Sequence, residues 1–506
     1  VAEIATHLIW AAKNNSGSSD DKTALTNRTN AAVAYTAEVK GSTAAIIAYQ
    51  AESTSPWTSG VNITEAVSYL SGIDKDTEYT AAGITTSVNT IVSNGDPSGA
   101  EIFNLTTSID TGSAFTGSTG NDTFNADNTG SSEVTSVADT LDGGTGNDTF
   151  NVYSDGTIAA LPTLKNIETI NIYDEDTNYS IGTISSDITT ANFIRGDGTA
   201  TYTLASTITT AGLDDIILDG AGVVVIAGGS DTSLILNLDS ILTAGNGSDE
   251  DVAVQGAALT SITVNSIGAN SSFDDLDTGA IKTVTVDATK SLTVGELVTT
   301  ATAGTLNITG AGAVSLGVLD DGFTTLDASA ATGAVTMTGP GSSNLDAVIT
   351  LGSGADVFTT GHGGFATNGD DLFAANAANG RDTLIVADNA HTNTADEAGR
   401  YTNFEILEYG GGSNVNFDAQ YLGSTFDTVK ITADNGITGL TAAMAGAITI
   451  SGTTANAGQT FALKDATGSS DVLSITSKHA TAATANDLTT ATITGFETIN
   501  FTVDSG

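Results

Sequence analysis

Residues 281–294 read IKTVTVDATKSLTV, two short runs of alternating β-branched and apolar residues separated by a polar turn. Alternation with a period of two puts every second side chain on one face of an extended strand. The same pair of runs recurs on both sides. LTSITV (259–264), IKTVTV (281–286), AGTLNI (303–308), FTTLDA (323–328) and DAVITL (346–351) bring Ile262, Val284, Leu306, Leu326 and Val348 into register, at steps of 22, 22, 20 and 22 residues. SLTV, AVSL, AVTM and ADVF do the same for Leu292, Val314, Val335 and Val357, at steps of 22, 21 and 22. A unit of two short strands cannot bury its apolar face alone, but it can by stacking on its neighbours. The expected fold is therefore mainly β, an irregular parallel β-solenoid with Ile262, Val264, Val284 and Val286 inward and Thr outward. A sandwich of hairpins would instead show turn signals about every 8–12 residues and no such repeat.

Upstream, Leu141–Tyr153 reads LDGGTGNDTFNVY, and Gly143–Asn151 fits the calcium-repeat pattern G-G-x-G-x-D-x-U-x at every specified position, U being a large apolar residue. Gly143, Gly144 and Gly146 permit a tight turn that aims carbonyl oxygens inward; Asp148 adds a carboxylate and Phe150 enters the next strand. Calcium takes about six to eight oxygens, so one copy supplies half a cage. A second copy, GSTGNDTFN, provides Gly117, Gly120 and Asp122, with Ser118 replacing a glycine. A looser third, GSGADVF, provides Gly352, Gly354 and Asp356, with Val357 or Phe358 expected in the core. Candidates to complete the cages are Asp127, Asp139 and Asp142 beside the first pair, and Asp370 and Asp371 in GHGGFATNGDD. Asp214 and Asp215 in GLDD, with Asp382 and Asp471, join them because adjacent carboxylates repel and a cation can hold them together. Magnesium, which keeps its waters in a compact octahedron, suits such carbonyl cages less well. Asp148, Asp382 and Asp471 are each followed by a Glu in strand-like sequence (IETI at Glu168, FEIL at Glu405, FETI at Glu497), at separations of 20, 23 and 26. Those Glu residues either ligate metal or pair with Lys or backbone amides of an adjacent rung.

On these glycine motifs the chain resembles the RTX family, the calcium-dependent repeat proteins that Gram-negative bacteria export by type I secretion. Its Asp-, Thr- and Ala-rich texture is similar to that of RTX-type bacterial surface-layer proteins. The resemblance implies an extracellular, cell-surface location, bound Ca2+ that drives folding, and self-assembly into a homo-oligomeric lattice. It also implies a helical N-terminal domain that contacts lipopolysaccharide, and a secretion signal beyond Gly506. Because Asp122 and Asp148 lie 26 positions apart, isolated calcium clips on a larger solenoid are expected, not a continuous calcium-lined roll.

Composition points the same way. Among 506 residues, 59 are acidic and 14 basic, a net charge of −45, which argues against nucleic acid and anionic lipid surfaces as direct partners and favours divalent cations. The chain has no Cys, so metal and a long repetitive core are the means left to hold irregular loops. No run is apolar enough to form a transmembrane segment. Residues 1–94 read as a small α-helical module: one helix from Asp20 or Asp21 to Lys40 stopped by Gly41, a second capped by Asn62 with Glu65, and a third from Lys75 to Val92. The β regions divide into a calcium-loop region at 95–258, the regular solenoid at 259–360, and a further β and calcium-loop region at 361–506. Four His, no H-E-x-x-H, no G-x-S-x-G and few Arg argue against an enzyme. The expected function is a secreted calcium-binding structural protein of a surface layer. An RTX adhesin stalk is the alternative, and a β-helix polysaccharide-active enzyme a more remote one.

Overall fold

The computed structural model describes residues 19–41, 64–95, 100–130, 132–155, 158, 160–174, 178–181, 185, 187–245, 249–340, 347–360, 374–377, 380–410, 416–432, 435–451, 459–478 and 490–504. It is mainly β, a parallel β-solenoid of about 15 turns with a small N-terminal helical segment. The chain forms two compact units, Val1–Ile172 with Ile184–Ile188, and Tyr173–Thr183 with Thr189–Gly506. No helix among the described residues is long and apolar enough to cross a membrane.

The first unit begins with helices α1 (Ser19–Lys40), α2 (Thr64–Ser71) and α3 (Ala81–Gly95). Tyr35 of α1 is buried against Ile84 and Val88 of α3, and its hydroxyl lies 3.0 Å from Ser87 Oγ. Arg28 Nε donates to Ile73 O, tying α1 to the loop after α2. Asp20 and Asp21 lie in the first turn of α1, where carboxylates favour the positive helix end, and Gly41 N closes the last turn on Ala37 O and Glu38 O. The third helix starts at Ala81, not at Lys75. Asp74 Oδ1 accepts the amides of Asp76 and Thr77, folding that stretch into a turn, and Thr80 Oγ1 then accepts Gly83 N at the helix start. Asn62 lies outside the described residues.

Strands 102–104, 123–127 and 149–153 of this unit pair in parallel, and Phe103, Phe124 and Phe150 share one register. Phe124 and Phe150 are fully buried, whereas Asn104, Asn125 and Asn151 point outward and form a ladder of side-chain amides that Asn171 extends. The opposite face pairs 140–142 with 163–165.

In the second unit one ladder runs from 190–194 through 210–214, 233–239, 261–266, 283–288, 304–310, 323–331, 348–350 and 374–376 to 401–402. The other runs from 179–180 to 498–504, and its strands pair in parallel. Ile262, Val284, Leu306 and Leu326 occupy one register, as expected, and are buried. The last step differs. Leu326 faces Ile349, not Val348, which is 54% exposed, because bulges within 323–331 add residues to that rung. The second series slips likewise: Thr336 pairs with Val357, so Phe358 is the buried partner of Met337, and Asp356 stands beside Val335. Alternation sets the energetics of each rung. Leu306→Ala should cost about 2–5 kcal/mol and Thr263→Ala, on the outward face of the same sheet, less than about 0.5 kcal/mol, as measured by chemical denaturation.

Candidate metal centre

The two strict glycine motifs stack in the first unit. Gly144 and Gly146 have φ of +91° and +147°, backbone that favours glycine, and a Cβ at Gly146 would strike Gly120 O of the rung before. A Cβ at Gly143 would meet both Asn166 O and Asp148 Oδ2, and one at Gly117 would meet Asp122 Oδ2 and Gly143 O. At each corner a carboxylate oxygen and a carbonyl oxygen of the following rung therefore converge on a space that only glycine leaves open.

The carboxylates do a second job. Asp122 Oδ1 accepts Glu101 N, Asp148 Oδ1 accepts Asp122 N at 2.6 Å, and Glu168 Oε2 accepts Asp148 N at 2.7 Å. Each acid thus binds the corner amide of the rung before it. The arrangement recurs in the second unit, where Asp356 Oδ1 accepts Val335 N, Asp382 Oδ1 accepts Asp356 N, Glu405 Oε2 accepts Asp382 N and Glu497 Oε2 accepts Asp471 N, all within 2.9 Å. Glu168, Glu405 and Glu497 are accordingly partners of backbone amides. Buried amides need acceptors, and a turn too tight for ladder bonding receives one from the next rung.

This role occupies one oxygen of each buried acid. Asp148 is 1% exposed and Asp356 and Asp382 are 0% exposed, yet Oδ2 of each has no hydrogen-bond partner. Burial pushes the carboxyls of Asp148 and Asp382 up to about 6, and the charges of Asp122 and Glu168 add to the shift at Asp148. Burial raises Asp356 too. Among the described residues no group of three or more His, Cys, Asp or Glu side chains is placed to hold a metal. A cation at the Gly143 corner would thus rest on Asp148 Oδ2 and backbone carbonyls. That donor set of hard oxygens fits calcium.

The other candidates have different surroundings. Asp142 pairs with Lys165 and accepts Asn166 Nδ2, and the Lys165 contact foremost holds its carboxyl below the usual range. Asp139 is fully buried and both its oxygens accept backbone amides, of Asp110 and Ser136. Asp127 forms a surface turn with Thr129. Asp214 faces Asp239 across neighbouring strands and Asp215 sits in a left-handed turn. Gly352 and Gly354 pack against carbonyls of Ala331 and Gly333. Asp370 and Asp371 lie outside the described residues.

One acidic feature was not singled out from the sequence. Asp251, Asp275 and Glu296 stand on successive rungs: Asp251 Oδ1 accepts Asp275 N, and Asp275 is register partner of Glu296. Steps of 24 and 21 residues, close to the solenoid period, carry that signal. No protein-family model matches this chain, and no curated protein matches it.

Two outcomes follow. Glu405→Ala leaves Asp382 N without its acceptor and should destabilise by about 1–3 kcal/mol, while Glu405→Gln, which keeps an acceptor, should cost less; urea denaturation of both measures the difference. Burial foremost, then Asp275, pushes the Asp251 carboxyl up to about 6, and burial with neighbouring acids raises Asp275 and Glu296. Their folded forms bind protons more tightly than the unfolded chain, so their contribution is present below the ordinary carboxylate range and lost as pH rises through their raised folded values, about 6 for Asp251. Asp275→Asn should therefore raise the melting temperature at about pH 7.5 and flatten its fall between about pH 5 and that value, read by thermal melts in chelator.

Proposed function

We propose that this chain is a secreted calcium-binding structural protein, an RTX-type surface-layer protein of a Gram-negative cell, in which calcium drives folding and lattice contacts. The Gly143 corner carries the reading: a buried carboxylate oxygen without a hydrogen-bond partner meets a backbone carbonyl where a Cβ would otherwise sit. Asp148 Oδ2, with the carbonyl of Asn166, would hold the ion at the Gly143 corner. Bound calcium neutralises carboxylates that otherwise repel one another inside the fold. A net charge of −45 extends the argument to the surface, since divalent ions relieve the repulsion between copies and bridge carboxylates of adjacent subunits. The helical module is the segment assigned to lipopolysaccharide. A parallel solenoid of about 15 turns also suits a stalk, so the adhesin reading differs from the lattice reading only in what the folded chain does next.

Calcium titration of the purified chain, followed by small-angle scattering with magnesium as control, tests this. Compaction together with ordered sheets or large assemblies is the expected result. Compaction to a stable monomer would favour a stalk, and no response to calcium would remove the metal site. Gly143→Ala should abolish the response at that corner and, because its Cβ collides with Asn166 O, lower stability by more than about 1 kcal/mol.

A further inference from the structure

The outward face of strands 102–104, 123–127 and 149–153 carries a cleft of about 650 Å3, a volume in the range of ligand sites, lined by Asn104, Leu105, Asn125, Asp127, Thr129 and Tyr153. All six belong to the first unit. Asp127 and Tyr153 are register partners, so a carboxylate and a partly exposed ring stand side by side on neighbouring strands. Both are held in place. Asp127 Oδ1 accepts Thr129 N at 3.1 Å and Thr129 Oγ1 at 2.6 Å, and Asn128 N donates to Tyr153 O. Buried Asn128 anchors the same turn, its side chain accepting Val134 N at 2.7 Å and donating to Thr135 Oγ1 at 2.8 Å. Beside them runs the amide ladder, in which Asn125 Nδ2 donates to Asn104 Oδ1 at 3.3 Å and Asn151 Nδ2 to Asn125 Oδ1 at 3.0 Å. A side-chain amide has two N–H donors and a carbonyl with two lone pairs, so these bonds leave Asn125 one donor and one acceptor, side by side.

We propose that this cleft binds a neutral glycan, one sugar ring lying on Tyr153 with its hydroxyls on Asp127 and Asn125, and the chain following the asparagine ladder. The chemistry selects that ligand class. A pyranose ring has a face of C–H groups and a rim of hydroxyls, and the C–H face packs against an aromatic ring, whose own face is negative. Adjacent hydroxyls each donate and accept, which matches an amide offering one of each and a carboxylate that accepts at both oxygens. Successive rungs lie about 4.8 Å apart, close to the length of one unit of an extended glycan, so consecutive amides meet consecutive sugars. Charge removes the competitors. None of the lining residues is basic, and a net charge of −45 with Asp127 in the cleft disfavours uronates, phosphates and nucleotides. A wholly apolar ligand would leave the amides and the carboxylate without partners. The site uses neither the buried corner acids nor the helical module, so it rests on neither the calcium nor the lipopolysaccharide reading.

Isothermal titration calorimetry of the full chain in calcium-containing buffer tests this with cellohexaose, laminarihexaose, chitohexaose and mannohexaose, and with hexagalacturonate as the acidic control. At least one neutral hexasaccharide should bind, and hexagalacturonate should bind at least about 10-fold more weakly. Tyr153→Ala should weaken the neutral ligand by about 10-fold or more, and Tyr153→Phe, which keeps the ring, by less than about 3-fold. Asp127→Asn and Asn125→Ala should each weaken it about 5-fold. Asp127 is exposed, so its variant reports on the site even if Tyr153→Ala fails to fold. Asn265→Ala breaks the equivalent amide bond to Asn237 in the second unit and should leave binding unchanged. No binding of any neutral hexasaccharide at millimolar concentration, a preference for hexagalacturonate, or an affinity indifferent to Tyr153→Ala, Asp127→Asn and Asn125→Ala alike would overturn the proposal. So would an equal loss with Asn265→Ala.

Discussion

Closing a solenoid rung forces the backbone through corners that the strand ladders cannot serve, and the amides at those corners must still find acceptors. Here a carboxylate of the following rung supplies one. Asp148 serves Asp122, Glu168 serves Asp148, Asp382 serves Asp356 and Glu405 serves Asp382. The tight glycine turns and the buried acids follow from that requirement. Glycine also makes room for the second carboxylate oxygen, Asp148 Oδ2 lying against Gly143 and Asp122 Oδ2 against Gly117.

The same arrangement gives Asp148, Asp356 and Asp382 two unlike oxygens. One is fixed by a backbone donor. The second, at Asp148, Asp356 and Asp382, faces no donor in a buried setting. Desolvating a carboxylate is costly unless protons or cations compensate. A structural device for closing corners therefore leaves behind it the half-made ligand sets on which cation binding can act, and fold and proposed function meet in single residues.

Much of this was legible in the sequence, because period and alternation are local properties. Ile262, Val284 and Leu306 could be aligned by counting, and they share a register in the structure. Counting failed at the end of each series: Val348, after the bulged rung 323–331, and Val357 each stand one position out of register, and the one-residue slip exchanges inward for outward. The start of α3 was hidden for a different reason, since the side chain of Asp74 competes with the helix for nearby amides. At the glycine corners the pairing of Glu168, Glu405 and Glu497 with preceding Asp residues was visible as a spacing, but spacing alone does not separate an amide acceptor from a metal ligand. The partners of Asp139 and Asp142 were invisible, since they depend on which loops the stack brings together.

The corner bonds also have a direction. At the corners closed by Asp122, Asp148, Glu168, Asp356, Asp382, Glu405 and Glu497 the acid serves the amide of the rung before it, so such a corner is finished only by residues that come later in the chain. As the polypeptide grows from its N-terminus, its newest rung always has an amide awaiting an acceptor. Where a chain is cut consequently matters in a way length does not measure: ending just before Glu405 strips Asp382 of its acceptor, while ending just after it leaves that corner whole. At these corners the solenoid thus has a sense of before and after, each completed by the turn that follows it.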